Sequence, residues 1–156
     1  MSYRVGIGVD AHALEAGVPL VLGGVPIEHP RGLAGHSDGD VLAHALIDAL
    51  LGAAGLGDIG SLFPSADERF RGADSLELLR EAYRRVQEAG WRIVNADCVL
   101  VGEEPRIAAL RDEMRRRLSA AVEGGGVNVR ATTTDRLGFT GRGEGLAAHA
   151  VALLER

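Results

Sequence analysis

The sequence predicts an α/β (α+β) fold: one domain, with a mixed sheet and helices on one face. Three observations predict it. Alternating apolar runs and helical stripes follow one another in mixed order along the chain. The 156 residues suffice for one domain with a real core. No repeat, linker or shift in composition divides them, so residues 1–156 read as a single domain.

The elements justify this in order. Residues 3–12 read as a strand, with Val5, Ile7 and Val9 alternating with glycines. Residues 20–27 read as a hairpin, because Gly23-Gly24 supplies the positive φ of a tight turn. The run His36-Ser37-Asp38-Gly39-Asp40 is a turn that caps a helix over 41–54, and residues 55–60 end that helix. Residues 63–74 are polar and loop-like, and within them 65–72 are expected to move as a lid. A second amphipathic helix spans 75–89, stopped at Gly90. A strand follows over 91–101. Pro105 is expected to open a helix over 106–122, and a strand is expected over 127–133. The alanine-rich residues 143–154 read as a last helix.

Apolar residues make up 46% and charged residues 25%, as in ordinary globular proteins. The formal net charge is −5, and every basic residue is an arginine. Such a chain is a poor nucleic-acid binder, since the phosphate backbone demands a clustered positive field. A small phosphorylated molecule is still open to it, because a metal and a few arginines neutralise one anion locally. Cys98 is the single cysteine, so no internal disulfide forms, and its apolar run 98–101 predicts a buried thiol. Residues 5–9 are too short for the core of a signal peptide, and no stretch approaches the ~20 apolar residues of a membrane span. These features predict a soluble cytoplasmic protein with no membrane partner.

Chemistry concentrates in a few places. In Asp10-Ala11-His12 a carboxylate and an imidazole two residues apart leave a strand on the same side. His44, early in the first helix, offers a third ligand. Two imidazoles and a carboxylate suit Zn²⁺ with one position open. Spacing alone equally allows a hydrogen-bonded histidine at a strand end. Gly55-Leu56-Gly57-Asp58-Ile59-Gly60 matches the dinucleotide fingerprint in letters, but it follows a helix where that motif needs a strand. It reads instead as a helix-ending turn aiming Asp58 into a cleft. Thr132-Thr133-Thr134-Asp135 ends a strand; its hydroxyls and carboxylate suit phosphate and a hard cation such as Mg²⁺, or simply a β-branched strand.

Taken together, these segments, with Phe63-Pro64, Gly72-Ala73-Asp74-Ser75 and the glycine-rich run 138–145, resemble the 2-C-methyl-D-erythritol 2,4-cyclodiphosphate synthase family along almost the whole chain. The resemblance implies a homotrimer with sites between subunits and Zn²⁺, or a similar divalent ion, on Asp10, His12 and His44. It places His36, Ser37, Asp58 and Gly60 on the methylerythritol phosphate and counts Phe63 among the substrate contacts. Gly102, Pro105, Arg106, Ile107, Ala131, Thr132 and Thr133 of a neighbouring subunit would hold the cytidine diphosphate. Asp135 would ligate Mg²⁺ or Mn²⁺ between the phosphates, with Thr133 donating to a phosphate oxygen. Phe139 and Arg142 would lie near the threefold axis, either lining a cavity for a prenyl diphosphate or, with Glu144, forming a structural ring of ion pairs. Three positions depart from the family pattern: Asp135 where glutamate is frequent, Arg106 where lysine is, and Ser65 where an acid is. The activity implied is intramolecular phosphoryl transfer that releases CMP. The residues also allow a zinc-dependent phosphoester hydrolase, with water at the open metal position, and a trimeric ligand-binding sensor.

Overall fold

The computed structural model describes residues 1–156. Strand β1 (Tyr3–Ala16) enters the sheet, followed by the two-stranded hairpin β2 (Leu20–Leu22) and β3 (Val25–Ile27) and by β4 (Arg31–Leu33). Helix α1 (Val41–Ala54), the short α2 (Ile59–Leu62), a 3-10 turn at Glu68–Phe70 and α3 (Ser75–Glu88) come next. The chain then alternates β5 (Arg92–Val101), α4 (Arg111–Ala121), β6 (Gly126–Thr132), the one-turn α5 (Gly138–Gly141) and β7 (Gly145–Glu155). The main sheet has the order β4-β1-β7-β5-β6, antiparallel except for the β5–β6 pair. The mixed sheet with helices on one face is as expected.

Helix α1 lies directly on β1 and β7, and α3 packs outside it. The approach is set by glycine. A Cβ on Gly6 would stand 2.1 Å from the Ala49 carbonyl oxygen, and one on Gly8 1.9 Å from that of Ala45. Facing alanines at 45, 49 and 53 complete the close seam. Alternation along β1 then turns Val5, Ile7 and Val9 to the other side of the sheet. That side has no helix over it, and these three residues are 68%, 67% and 53% exposed.

Three expectations are corrected. Residues 145–155 form strand β7 in the middle of the sheet, not a helix. Leu146, Ala148, Ala150, Ala152 and Leu154 are all buried, which is a period of two; alanine is used there because α1 leaves no room for larger side chains. The expected helix over 106–122 begins only at Arg111. Ile107 is instead drawn into the core within a single turn closed by Leu110 N–H donating to the Ile107 carbonyl at 2.9 Å. Strand β1 runs four residues past His12, leaving β7 after Ala13 and pairing Leu14 to Ala16 with β4. Asp10 and His12 therefore sit inside a strand, not at its end. The turn residues behave as expected: Gly23 and Gly24 have φ of 58° and 76°, and Gly55 ends α1 at φ 71°.

Replacing Gly8 by alanine should force β1 and α1 apart. The obstacle is helix backbone, so the cost should lie at or above the upper end of the ~1–3 kcal/mol typical of overpacking. Gly52→Ala, where the nearest atom is 4.0 Å away, should be neutral or stabilising by up to about 1 kcal/mol. Thermal unfolding of the two variants checks this; equal midpoints would refute the close-seam account.

Candidate metal centre and cleft

Asp10 and His12 follow Gly6 and Gly8 on the helix-facing side of β1. His44 meets them from the first turn of α1. The start of that helix is pinned by Asp40, which is fully buried and accepts from Ala43 N–H at 3.1 Å, Gly23 N–H at 2.9 Å and Gly24 N–H at 2.7 Å. Burial pushes the Asp40 carboxyl up, to about 6, against the pull of these donors. The cap thus ties the hairpin turn to the helix end that carries His44.

Three ligand atoms converge. Asp10 Oδ2 lies 2.7 Å from His12 Nε2 and 3.0 Å from His44 Nδ1, and the two nitrogens face each other at 3.3 Å. All three fall within 4.8 Å of one another. Burial raises the Asp10 carboxyl, but hydrogen bonds from both histidines outweigh it and hold it at about 2. The hydrogen bond to Asp10 raises the His12 pKa, partly opposed by burial. Two imidazole nitrogens aimed at each other across one carboxylate oxygen are poorly served by a single shared proton. A divalent cation meets all three lone pairs, and this donor set with one side open fits Zn²⁺.

A cleft of about 400 Å³ opens over the cluster. Asp10, His12, His36, Ser37, His44, Gly60 and Phe63 all line it. Ile59, Pro64, Ala66, Phe70 and Leu78, which sequence reasoning passed over, complete its wall together with Ser65. His36 is fixed by its Nε2, 2.9 Å from the Asp67 carbonyl. Asp58 is not aimed into the cleft. Its exposed carboxylate caps α2, accepting from Ser61 N–H at 2.8 Å, beside the lining residues Ile59 and Gly60.

The other expected contacts gather elsewhere. Gly102, Pro105, Arg106, Ile107, Ala131, Thr132 and Thr133 line a separate cavity of about 330 Å³ where β5 and β6 end. Asp135 follows it on an exposed turn at φ 54°, with its N–H donating to Thr133 Oγ1 at 3.3 Å, and it belongs to no cluster of three ligands. Arg142 lines a third cavity of about 370 Å³ with Arg31, Arg106 and Arg136, and pairs with Glu144 at 3.0 Å. Phe139 is 44% exposed and lines none of the three. The expected contacts therefore fall into two separate groups on one chain.

The model of the YgbB family matches residues 3–155. The chain belongs to the YgbB family. A relative from Rubrobacter xylanophilus, named 2-C-methyl-D-erythritol 2,4-cyclodiphosphate synthase, is 63% identical over 99% of this chain and 96% of its own length. One from Moorella thermoacetica with the same name is 60% identical over 97% and 94%. Among solved structures, a 2C-methyl-D-erythritol-2,4-cyclodiphosphate synthase in a CDP-bound form matches with TM-score 0.88 and 41% identity, over 97% of this chain and all of the other.

In this YgbB chain, the raised His12 pKa predicts how metal binding depends on pH. The proton is held above the ordinary histidine value of 6.5, so a metal must displace it there and below. Zn²⁺ affinity should fall by about one log unit per pH unit below the His12 pKa and level off above it. Calorimetry in buffers of differing ionisation enthalpy counts the proton; none released below pH ~6.5 would contradict the assignment.

Proposed function

We infer that the chain converts 4-diphosphocytidyl-2-C-methyl-D-erythritol 2-phosphate to 2-C-methyl-D-erythritol 2,4-cyclodiphosphate and CMP, as a metal-dependent, cyclising phosphorus–oxygen lyase of non-mevalonate isoprenoid biosynthesis. The observation that carries this reading is 63% identity along 99% of the chain to a relative named for the product. The hydrolase and sensor readings draw no such support. Residues 1–156 act as one catalytic domain. A cytoplasmic location belongs to the same reading. No helix is long and apolar enough to cross a membrane.

The reaction forms a bond between a 2-phosphate oxygen and the β-phosphorus and breaks the bond from that phosphorus to the oxygen bridging it to the α-phosphate. CMP departs with the bridging oxygen. The nucleophile is already an anion near neutral pH, so no side chain is needed as a general base. The work left to the protein is positioning, which supplies up to ~7–11 kcal/mol of a barrier, and relief of phosphate repulsion. His36, Ser37, Gly60 and Phe63 hold the methylerythritol phosphate end, with Asp58 beside them. Gly102, Pro105, Arg106, Ile107, Ala131, Thr132 and Thr133 of a second copy hold the cytidine diphosphate. Thr133 Oγ1 accepts from Asp135 N–H, which leaves its own proton free to donate to a phosphate oxygen. Asp10, His12 and His44 would hold a divalent ion, Zn²⁺ by its donor set, which would supply Lewis-acid chemistry for phosphoryl transfer. Asp135 would hold Mg²⁺ or Mn²⁺ for charge neutralisation of the diphosphate, since such an ion keeps most of its waters and takes few protein carboxylates.

A homotrimer follows in this reading. It joins the two half-sites and covers the bare row Val5, Ile7 and Val9, which is apolar surface of a kind that marks an interface. Pairing of Arg142 with Glu144 favours a structural ring of ion pairs near the axis.

Phosphorus NMR of the zinc- and magnesium-loaded enzyme with substrate should show a cyclic diphosphate and CMP in equal amounts. His44→Ala should lose its zinc and fall to background turnover with an unchanged circular dichroism spectrum. Orthophosphate as the product, or full turnover by the zinc-free variant, would overturn the reading.

A further inference from the structure

The metal cluster uses one nitrogen of His44; the other has a partner of its own. His44 Nε2 lies 2.8 Å from Ser75 Oγ, and Ser75, the first residue of α3, is fully buried. Ser75 Oγ in turn hydrogen-bonds to Asp38 Oδ1, while Ser75 N–H donates to Asp38 Oδ2 at 3.0 Å. One carboxylate thus grips both polar groups of the serine. Asp38 is itself held, its Oδ1 accepting from Asp40 N–H at 3.0 Å and its N–H donating to the Ala73 carbonyl at 3.1 Å.

Counting protons along this chain leaves one arrangement. A serine hydroxyl has one proton, and an ionised carboxylate only accepts. Ser75 must therefore donate to Asp38, since two sets of lone pairs would otherwise face each other. Ser75 Oγ then has only lone pairs to offer His44, so the imidazole proton sits on Nε2. The lone pair is left on Nδ1, the atom 3.0 Å from Asp10 Oδ2 and 3.3 Å from His12 Nε2.

We propose that Asp38 and Ser75 are positioning residues for the metal: they lock His44 in its Nε2–H tautomer and turn its Nδ1 lone pair onto the ion. This rests on the metal-dependent reading given above. Ser37 Oγ also lies 3.0 Å from His44 Nε2, but it lines the cleft and has no carboxylate to take its proton, so it does not set the tautomer. The relay also joins the metal centre to the N-terminus of α3, where the segment that walls the cleft ends.

The test is the zinc dissociation constant, measured by competition with a chromophoric chelator. Ser75→Ala should weaken zinc by roughly 10–100-fold, the usual effect of removing the partner behind a ligating histidine. The helix should survive, because its cap is Asp74, which accepts from Leu76 N–H at 2.9 Å. Asp38→Asn should weaken zinc less, since an amide oxygen still accepts from Ser75. Ser37→Ala should leave zinc affinity within about twofold of wild type while weakening substrate, because only the buried partner orients the ligand. Wild-type affinity in Ser75→Ala would overturn the proposal. Should that variant not fold, NMR of the ¹¹³Cd-loaded wild type decides: coupling to His44 Nδ1 with a protected Nε2 proton is expected, and coupling to Nε2 overturns it. Failure of the wild type to bind zinc or cadmium at all would overturn the metal-dependent reading as well, a result distinct from tight binding that ignores Ser75.

Discussion

The structure depends on how closely α1 lies against β1. Glycines at 6 and 8 on the strand and alanines at 45, 49 and 53 on the helix remove every side chain that would hold the two backbones apart. One step further along each element, the small residues give way to Asp10, His12 and His44. The same seam that builds the core therefore sets the distance between the ligands. Asp40 fixes the helix at that end by accepting from the hairpin turn, and Asp38 with Ser75 fixes the imidazole behind it. A metal site needs such over-determination, because ligands held loosely lose affinity and geometry together.

The seam also explains why β7 is built from alanine. Its buried positions 148, 150 and 152 lie under α1, and its intervening residues His149 and Val151 face the side without helices. The sheet thus has one side closed by a tight helical layer and one side on which the apolar row Val5, Ile7 and Val9 stands exposed. The separation of the two cavities follows from the same topology. Asp10 and His12 come from β1, while Gly102 follows β5 and Thr132 ends β6, with β7 between β1 and β5 in the sheet.

Much of this was legible in the sequence. Val5, Ile7 and Val9 gave the strand, Asp40 the helix start, and Gly23-Gly24 the hairpin turn. The metal ligands needed more than spacing, since Asp-x-His occurs on many strands; the resemblance of the surrounding segments singled them out, and the seam shows why they meet. The last strand was misread because its alanines carry high intrinsic helix propensity, which tertiary packing overrode. Its buried residues Leu146, Ala148, Ala150, Ala152 and Leu154 alternate with Ala147, His149, Val151 and Leu153, of which only His149 is polar, so the period of two left almost no mark in the letters. Asp38 and Ser75 were not recognisable as partners. They are 37 residues apart, and only the docking of α3 against the turn before α1 brings them together. Asp58 was placed in the cleft because its role as the cap of a four-residue helix leaves no periodic signal.

A complete site on this account exists only between copies, with the cleft of one chain facing the threonine run of the next. The most direct measurement mixes two inactive variants, His44→Ala and Thr133→Ala, under conditions where subunits exchange, with co-purification of two tags confirming mixed assemblies. Each variant is damaged in a different half-site. Random assembly of a ring from equal amounts pairs an intact cleft with an intact nucleotide patch at about one site in four, so about a quarter of wild-type turnover should return. Confirmed mixed assemblies with no recovered turnover would contradict the account, because they would mean that both halves belong to one chain.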